Sequence, residues 1–184
     1  MAPLFILIVV LVAVAILFVT AYNGLVTLRN QVRNAWQQIG VQLKRRHDLI
    51  PNLVEVVKDY MGYEQETLEK VIRARNAALT ATGVQGTATA EGALTGALRS
   101  LFAVVESYPQ LKANENVGRL QEELTSTENR LAFARQFYND LVMRYNTRIQ
   151  TIPTNVIASM FAFREESYFE VPEAEQKPIK VDLR

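Results

Sequence analysis

Apolar side chains fill the chain from Met1 to Ala21, and Thr20 is the one polar interruption. The run approaches the roughly 20 residues that a helix needs to cross the hydrocarbon core of a bilayer. Beyond it the pattern becomes periodic. Leu25, Leu28, Val32, Ala35, Trp36, Ile39 and Leu43 recur at steps of three and four, the spacing of one helix face. The apolar span is therefore expected to run on into the following domain without a break. Pro51 interrupts the next stretch: it removes a backbone donor and frees the carbonyl of His47, so it either kinks a helix or ends one. Its apolar neighbours Leu49, Ile50 and Leu53 favour a kink. A turn fits better near Gly62, where Tyr60-Met61-Gly62-Tyr63 is followed by an acidic start at Glu64 and Glu66.

A short third helix is marked by Leu94, Leu98, Leu101, Val104 and Val105. The small, Gly-rich stretch from Thr80 to Gly92 precedes it and Pro109 closes it. Gly83, Gly86, Gly92 and Gly96, scattered among Thr and Ala, read as a flexible loop and a helix start. The fourth helix repeats Val117, Leu120, Leu124, Thr127, Leu131, Ala134, Tyr138, Leu141 and Tyr145 close to a heptad. Long, short, short and long helices predict an all-α fold: an N-terminal transmembrane helix continuing into an antiparallel, up-down bundle of about four helices. Strand signals are nearly missing, and Tyr168-Phe169-Glu170-Val171-Pro172 reads as tail rather than sheet. The expected organisation is an anchor over residues 1–22, a helical bundle over 23–163 and a C-terminal tail over 164–184.

A secretory signal opens with basic residues and ends at a small-residue cleavage site. No Lys or Arg precedes Arg29, and the apolar run is longer than a signal core, which favours an uncleaved anchor. Ala13, Ala15 and Ala21 are the residues a cleaved signal would use. Arg29 and Arg33, then Lys44, Arg45 and Arg46, lie C-terminal to the span, so the positive-inside rule puts the N-terminus outside and the bundle in the cytoplasm. Over the whole chain 20 basic residues nearly cancel 19 acidic ones, leaving no global field to attract nucleic acid or an acidic substrate. Cysteine is absent, which removes disulfides, thiolate ligands and cysteine nucleophiles and leaves the compartment open.

The chemistry that helical bundles usually carry is not spelled out. A di-iron site needs two Glu-x-x-His pairs and a zinc protease needs a second imidazole, whereas His47 is the single histidine and position 44 is Lys, not Glu. His47 reads as a surface or hinge residue. No Gly-rich loop precedes a Lys-Ser/Thr pair, so the phosphate cradle of nucleotide hydrolases is missing. Glu64, Glu66 and Glu69, or Glu122, Glu123 and Glu128, read as solvated helix faces rather than acid–base sites. No catalytic residue, metal ligand or cofactor site is assigned. Lys44-Arg45-Arg46-His47 is the one concentrated charge, and Arg45 lies 23 residues beyond Tyr22, roughly 35 Å along a helix. With Pro51 and Asn52 it forms a candidate interaction patch, for an acidic partner surface or for Glu122, Glu123 or Glu128 inside the bundle. A nucleic-acid site would want more basic surface and aromatic stacking.

Two blocks carry a resemblance. One comprises Tyr22-Asn23, Leu25-Val26, Arg29, Ala35-Trp36 and the unbroken Val41-Gln42-Leu43-Lys44-Arg45-Arg46 leading to Asp48-Leu49-Ile50-Pro51-Asn52-Leu53-Val54. The other comprises Tyr138-Asn139, Tyr145-Asn146, Pro153, Asn155, Ile157-Ala158, Phe161, Phe163 and Tyr168-Phe169. In these the chain resembles the LemA family of bacterial membrane proteins over nearly its whole length. It departs at Tyr63, where a His before Glu64 is common, at Ala162, which replaces a usual Gly, and at Ile152, which replaces a usual Phe. The resemblance implies an N-terminal anchor and a helical bundle, with no established enzymatic activity. An antiparallel bundle would return Tyr145, Asn146 and the Pro153–Phe163 segment to the level of Tyr22–Arg33. Met160, Phe161 and Phe163 are then a candidate membrane-proximal patch, resting on lipid or packed at the base of the bundle.

The expected function is a non-enzymatic scaffold or adaptor in the bacterial inner membrane. Its partners would be the bilayer and another membrane protein or further copies of itself, with no nucleic acid and no small-molecule substrate. Family members are often encoded near a membrane zinc protease, so the resemblance suggests proteostasis or envelope stress as the setting. The alternative is a structural homo-oligomer that organises or shapes the membrane.

Overall fold

The apolar run and the first periodic face are one helix, α1 (Ala2–Lys58). The computed structural model describes residues 2–61 and 64–170. From Leu4 to Leu17, and again at Val19, the large apolar side chains of α1 are exposed, so that this part of the helix is apolar on every side. This is the one helix among the described residues long and apolar enough to cross a membrane. From Ala21 onward a stripe turns inward: Ala21, Leu25, Val32, Ala35, Ile39, Leu43, Ile50, Leu53 and Val57 are buried. Pro51 sits on the opposite, exposed face, and the helix continues past it to Lys58. Proline therefore does not end the helix. Its ring removes the amide that would have bonded the His47 carbonyl, and Arg75 Nε donates to that oxygen instead, at 2.8 Å.

Asp59 and Tyr60 form the turn after α1, and Met61 is buried with its amide bonded to the Val57 carbonyl at 3.1 Å. Gly62 and Tyr63, on which the turn was expected to centre, lie outside the described residues. Helix α2 (Gln65–Thr80) is followed by two extended residues and by α3 (Gly83–Val105), which packs against it. Gly83 opens α3 with φ +72, a left-handed conformation that glycine adopts without penalty.

The Thr80–Gly92 stretch is thus helical from Gly83 on, not a loop. Gly and Thr have weak local helix propensity, but Thr87, Ala88, Glu91 and Gly92 form a buried face of α3, so tertiary packing overrides the local preference. Pro109 does not close α3, which ends at Val105. It opens a four-residue helix, α4 (Pro109–Lys112), at a position where its missing donor is not needed. Asn114 Oδ1 then accepts the amides of Asn116 (2.9 Å) and Val117 (3.4 Å) at the start of α5 (Glu115–Gln150). Along α5 Val117, Leu124, Thr127, Leu131, Tyr138, Leu141 and Tyr145 are buried, as the heptad spacing requires. The last helix is α6 (Thr154–Met160). The four long helices are the expected long, short, short and long set, α4 and α6 are additions, and no strand occurs among the described residues.

The described residues divide into two compact units, 2–38 with 136–167, and 39–135 with 168–170. In the first, α1 and the end of α5 run antiparallel, with the Trp36 ring 5.6 Å from that of Tyr138. Its buried residues include Leu25, Val32, Ala35, Tyr138, Val142, Tyr145 and Ile157. In the second, α1, α2, α3, α4 and the start of α5 enclose a core containing Ile50, Leu53, Val57, Val71, Leu94, Leu101, Leu111 and Val117.

Candidate functional site

The basic stretch Lys44–His47 does not present one surface. Leu43 and Ile50 are buried, and positions 46 and 47 fall between them on the same helical face. Lys44 and Arg45 point to solvent, as do Pro51 and Asn52. Lys44 holds Asp48 at 2.9 Å, and this bond keeps the Asp48 carboxyl below its ordinary range. Arg46 enters the interior, where Nη1 lies 3.0 Å from Glu91 Oε2 and 3.1 Å from Glu128 Oε2, and Nη2 donates to Thr95 Oγ1 at 2.8 Å. Of the acidic partners considered from sequence, Glu128 is one, and Arg135 reaches its other oxygen at 3.6 Å. Glu91 was not anticipated.

His47 is not a surface residue. It is 5% exposed, with Nε2 2.6 Å from Glu91 Oε1, while Glu91 itself is fully buried. A buried carboxylate needs its lone pairs occupied, and here the guanidinium and the imidazole take one oxygen each. The result is a polar knot joining α1, α3 and α5 within the second unit. Beside it opens a cleft of about 420 Å³ with an apolar floor of Leu98, Phe102 and Leu124 and with Arg46, Thr95 and Glu128 on its wall. Among the described residues, no three His, Asp or Glu side chains come together to hold a metal ion.

The second candidate patch lies in the first unit. Phe161 sits 4.7 Å from the Tyr22 ring and 5.9 Å from that of Phe18, and Phe163 sits 6.0 Å from Tyr22 with the Arg29 guanidinium 4.7 Å over its face. The expected return of this segment to the level of Tyr22–Arg33 is observed. Phe163 is buried, whereas Met160 and half of Phe161 are exposed, and Ile152 and Val156 join them as exposed apolar residues around α6. The helix closes through the amides of Phe161, Ala162 and Phe163, bonded to Ile157, Ser159 and Ala158. Ala162 takes φ +52 there, which explains why glycine suits this position.

After Phe163 the backbone is tied down rather than loose. Tyr138 OH donates to the Ser167 carbonyl at 2.8 Å, and Asn146 exchanges two bonds with the Glu166 backbone, at 2.9 and 3.0 Å. Burial, and secondarily the Glu166 carboxylate, pushes the Tyr138 phenol up to about 12, and the same two causes raise Tyr145. Phe169 is also buried, with the Arg135 guanidinium 4.9 Å over its ring. Val171 and Pro172, the remainder of the extended piece read as tail, lie outside the described residues together with everything to Arg184.

Comparison with known proteins gives consistent relatives. Magnetosome protein MamQ 1 of Paramagnetospirillum magneticum is 26% identical over 184 residues, covering 86% of this chain and 68% of its own length. Protein LemA of Metamycoplasma hominis is 27% identical over 164 residues, covering 86% and 73%. Magnetosome protein MamQ of Magnetospirillum gryphiswaldense is 24% identical over 195 residues, covering 92% and 72%. The family model for the LemA family matches residues 35–183, which takes in the buried Arg46–His47–Glu91 knot and the α5–α6 return, and the chain belongs to that family.

Proposed function

We propose that this protein is a membrane-anchored, non-enzymatic helical scaffold that holds its bundle beside the bilayer and binds membrane-protein partners. The observation that carries the reading is the continuity of α1: the unburied apolar segment and the buried stripe of the domain belong to one helix. An anchor joined this way fixes the position of the domain instead of tethering it on a flexible linker. Lys44, Arg45, Pro51 and Asn52 remain available on the exposed side of α1, and a membrane protease is among the partners such a surface suits. The exposed apolar residues around α6, with Met160 and Phe161 foremost, rest on the bilayer. The positive residues C-terminal to the span support a cytoplasmic bundle on an anchor in the bacterial inner membrane.

Photo-crosslinking in native membranes tests this, with the probe at Arg45 in one strain and Phe161 in another and the adducts identified by mass spectrometry. The expected result is a distinct membrane protein at position 45 and lipid at position 161. Adducts to this chain alone at position 45 would replace the scaffold with a homo-oligomer that organises the membrane, and protein adducts without lipid at position 161 would remove the seating of α6. Orientation is read separately. The chain has no cysteine, so a single Cys introduced at Arg45 should resist an impermeant maleimide in intact cells and react after lysis.

A further inference from the structure

Between α1 and the end of α5 in the anchor-bearing unit runs a groove of about 780 Å³, walled by Gly24, Thr27 and Leu28 on one side and Arg144, Thr147 and Arg148 on the other. We propose that this groove holds the headgroup of an anionic phospholipid from the leaflet at which α1 emerges, an inference that rests on the anchored reading above.

Height is the first argument. Gly24 lies three residues beyond Ala21, the last residue of the apolar run, about 4–5 Å along the axis. The headgroup layer on each side of a bilayer is about 5–8 Å deep, so the lower part of the groove lies within it. Because α5 runs antiparallel to α1 here, Arg148 is nearer the bilayer than Arg144, one turn above it.

Charge is the second. Both arginines are exposed and neither makes an ion pair among the described residues. Guanidinium groups bind phosphate oxygens through paired donors, and the Thr147 hydroxyl lies on the same wall. Shape is the third. A Cβ at Gly24 would meet no atom within 4 Å, which leaves room at the mouth, while Leu28 and Met143 in the lining offer apolar contact for the glycerol and the first acyl carbons.

The test uses the full chain in mild detergent, mixed with phosphatidylglycerol and phosphatidylcholine and read by native mass spectrometry. An exposed ion pair contributes at most about a fivefold preference, so the two arginines together should favour phosphatidylglycerol by up to about thirtyfold. R144Q/R148Q should abolish the preference, R144K/R148K should retain most of it, and R119Q/R130Q, with the same charge loss elsewhere on α5, should leave it unchanged. Gly24→Leu fills the mouth without touching charge and should weaken retention. Equal retention of the two lipids, a preference that survives R144Q/R148Q, or displacement of the lipid by millimolar inorganic phosphate would each overturn the proposal. Carbonate extraction of native membranes separates this outcome from failure of the anchored reading, since only the latter would release the chain.

Discussion

Replacing Pro51 by Ala and Arg75 by Met, singly and together, asks whether the arginine stands in for the amide that proline lacks. Arg75 Nε donates to the His47 carbonyl at 2.8 Å in a partly buried setting, and a hydrogen bond from a charged donor contributes about 1.5–3 kcal/mol. Partial exposure puts R75M at the low end, a loss of about 1.5 kcal/mol. P51A returns the backbone donor to the His47 carbonyl and removes a residue that disfavours a helix interior by about 3 kcal/mol. Pro51 is exposed, so little packing is lost and the variant should be stabilised. In the P51A background the carbonyl already has a partner, and R75M should then cost less than about 0.5 kcal/mol, a coupling of about 1 kcal/mol. Thermal unfolding of the detergent-solubilised chain, followed by helical circular dichroism, resolves this, because 1 kcal/mol moves Tm by about 2–4 °C in a chain of this size. Equal losses from R75M in both backgrounds would refute the substitution of side chain for amide.

Three further outcomes are expected. Glu91→Ala leaves the buried Arg46 and His47 without their shared carboxylate and should cost about 3–5 kcal/mol, whereas R46M/H47L/E91L, which replaces all three, should recover most of the loss; denaturant unfolding of both variants checks the cluster. Ala162→Gly relieves a left-handed alanine and should raise stability by about 1 kcal/mol, read as a higher Tm. Below pH 10 the Tyr138 phenol keeps its proton whether the chain is folded or not; from there to about 12 only the folded state keeps it, so stability falls as pH rises through that window. Tyr138→Phe loses the bond to Ser167, about 1 kcal/mol at neutral pH, and its alkaline decline should be shallower.

Much of the architecture could be read from local pattern. The 57-residue helix α1 and the heptad of α5 repeat their apolar spacing over many turns, so each turn reinforces the assignment of the next. The first half of α3 is different. Its glycines and threonines are poor helix formers taken locally, and its buried face is made of small side chains around Glu91, so neither propensity nor hydrophobic period marks it. Glu91 also lies 45 positions from Arg46, a separation over which no periodicity connects the two. Yet the phase of α1 held a usable signal: Arg46 and His47 occupy the turn between Leu43 and Ile50 on the core-facing stripe, where a charged pair implies partners inside. The orphaned His47 carbonyl was deducible from Pro51, but Arg75 as its donor depends on how α2 folds back.

The segment after Phe163 is gripped through its main chain. Tyr138 and Asn146 bond the carbonyls and the amide of Glu166 and Ser167, and none of these bonds reads a side chain of the segment itself. Such a grip constrains path, not composition: residues 166 and 167 can drift in sequence while the fold still recognises them, and the substitution it forbids is proline at 166, which would remove the one amide that Asn146 accepts.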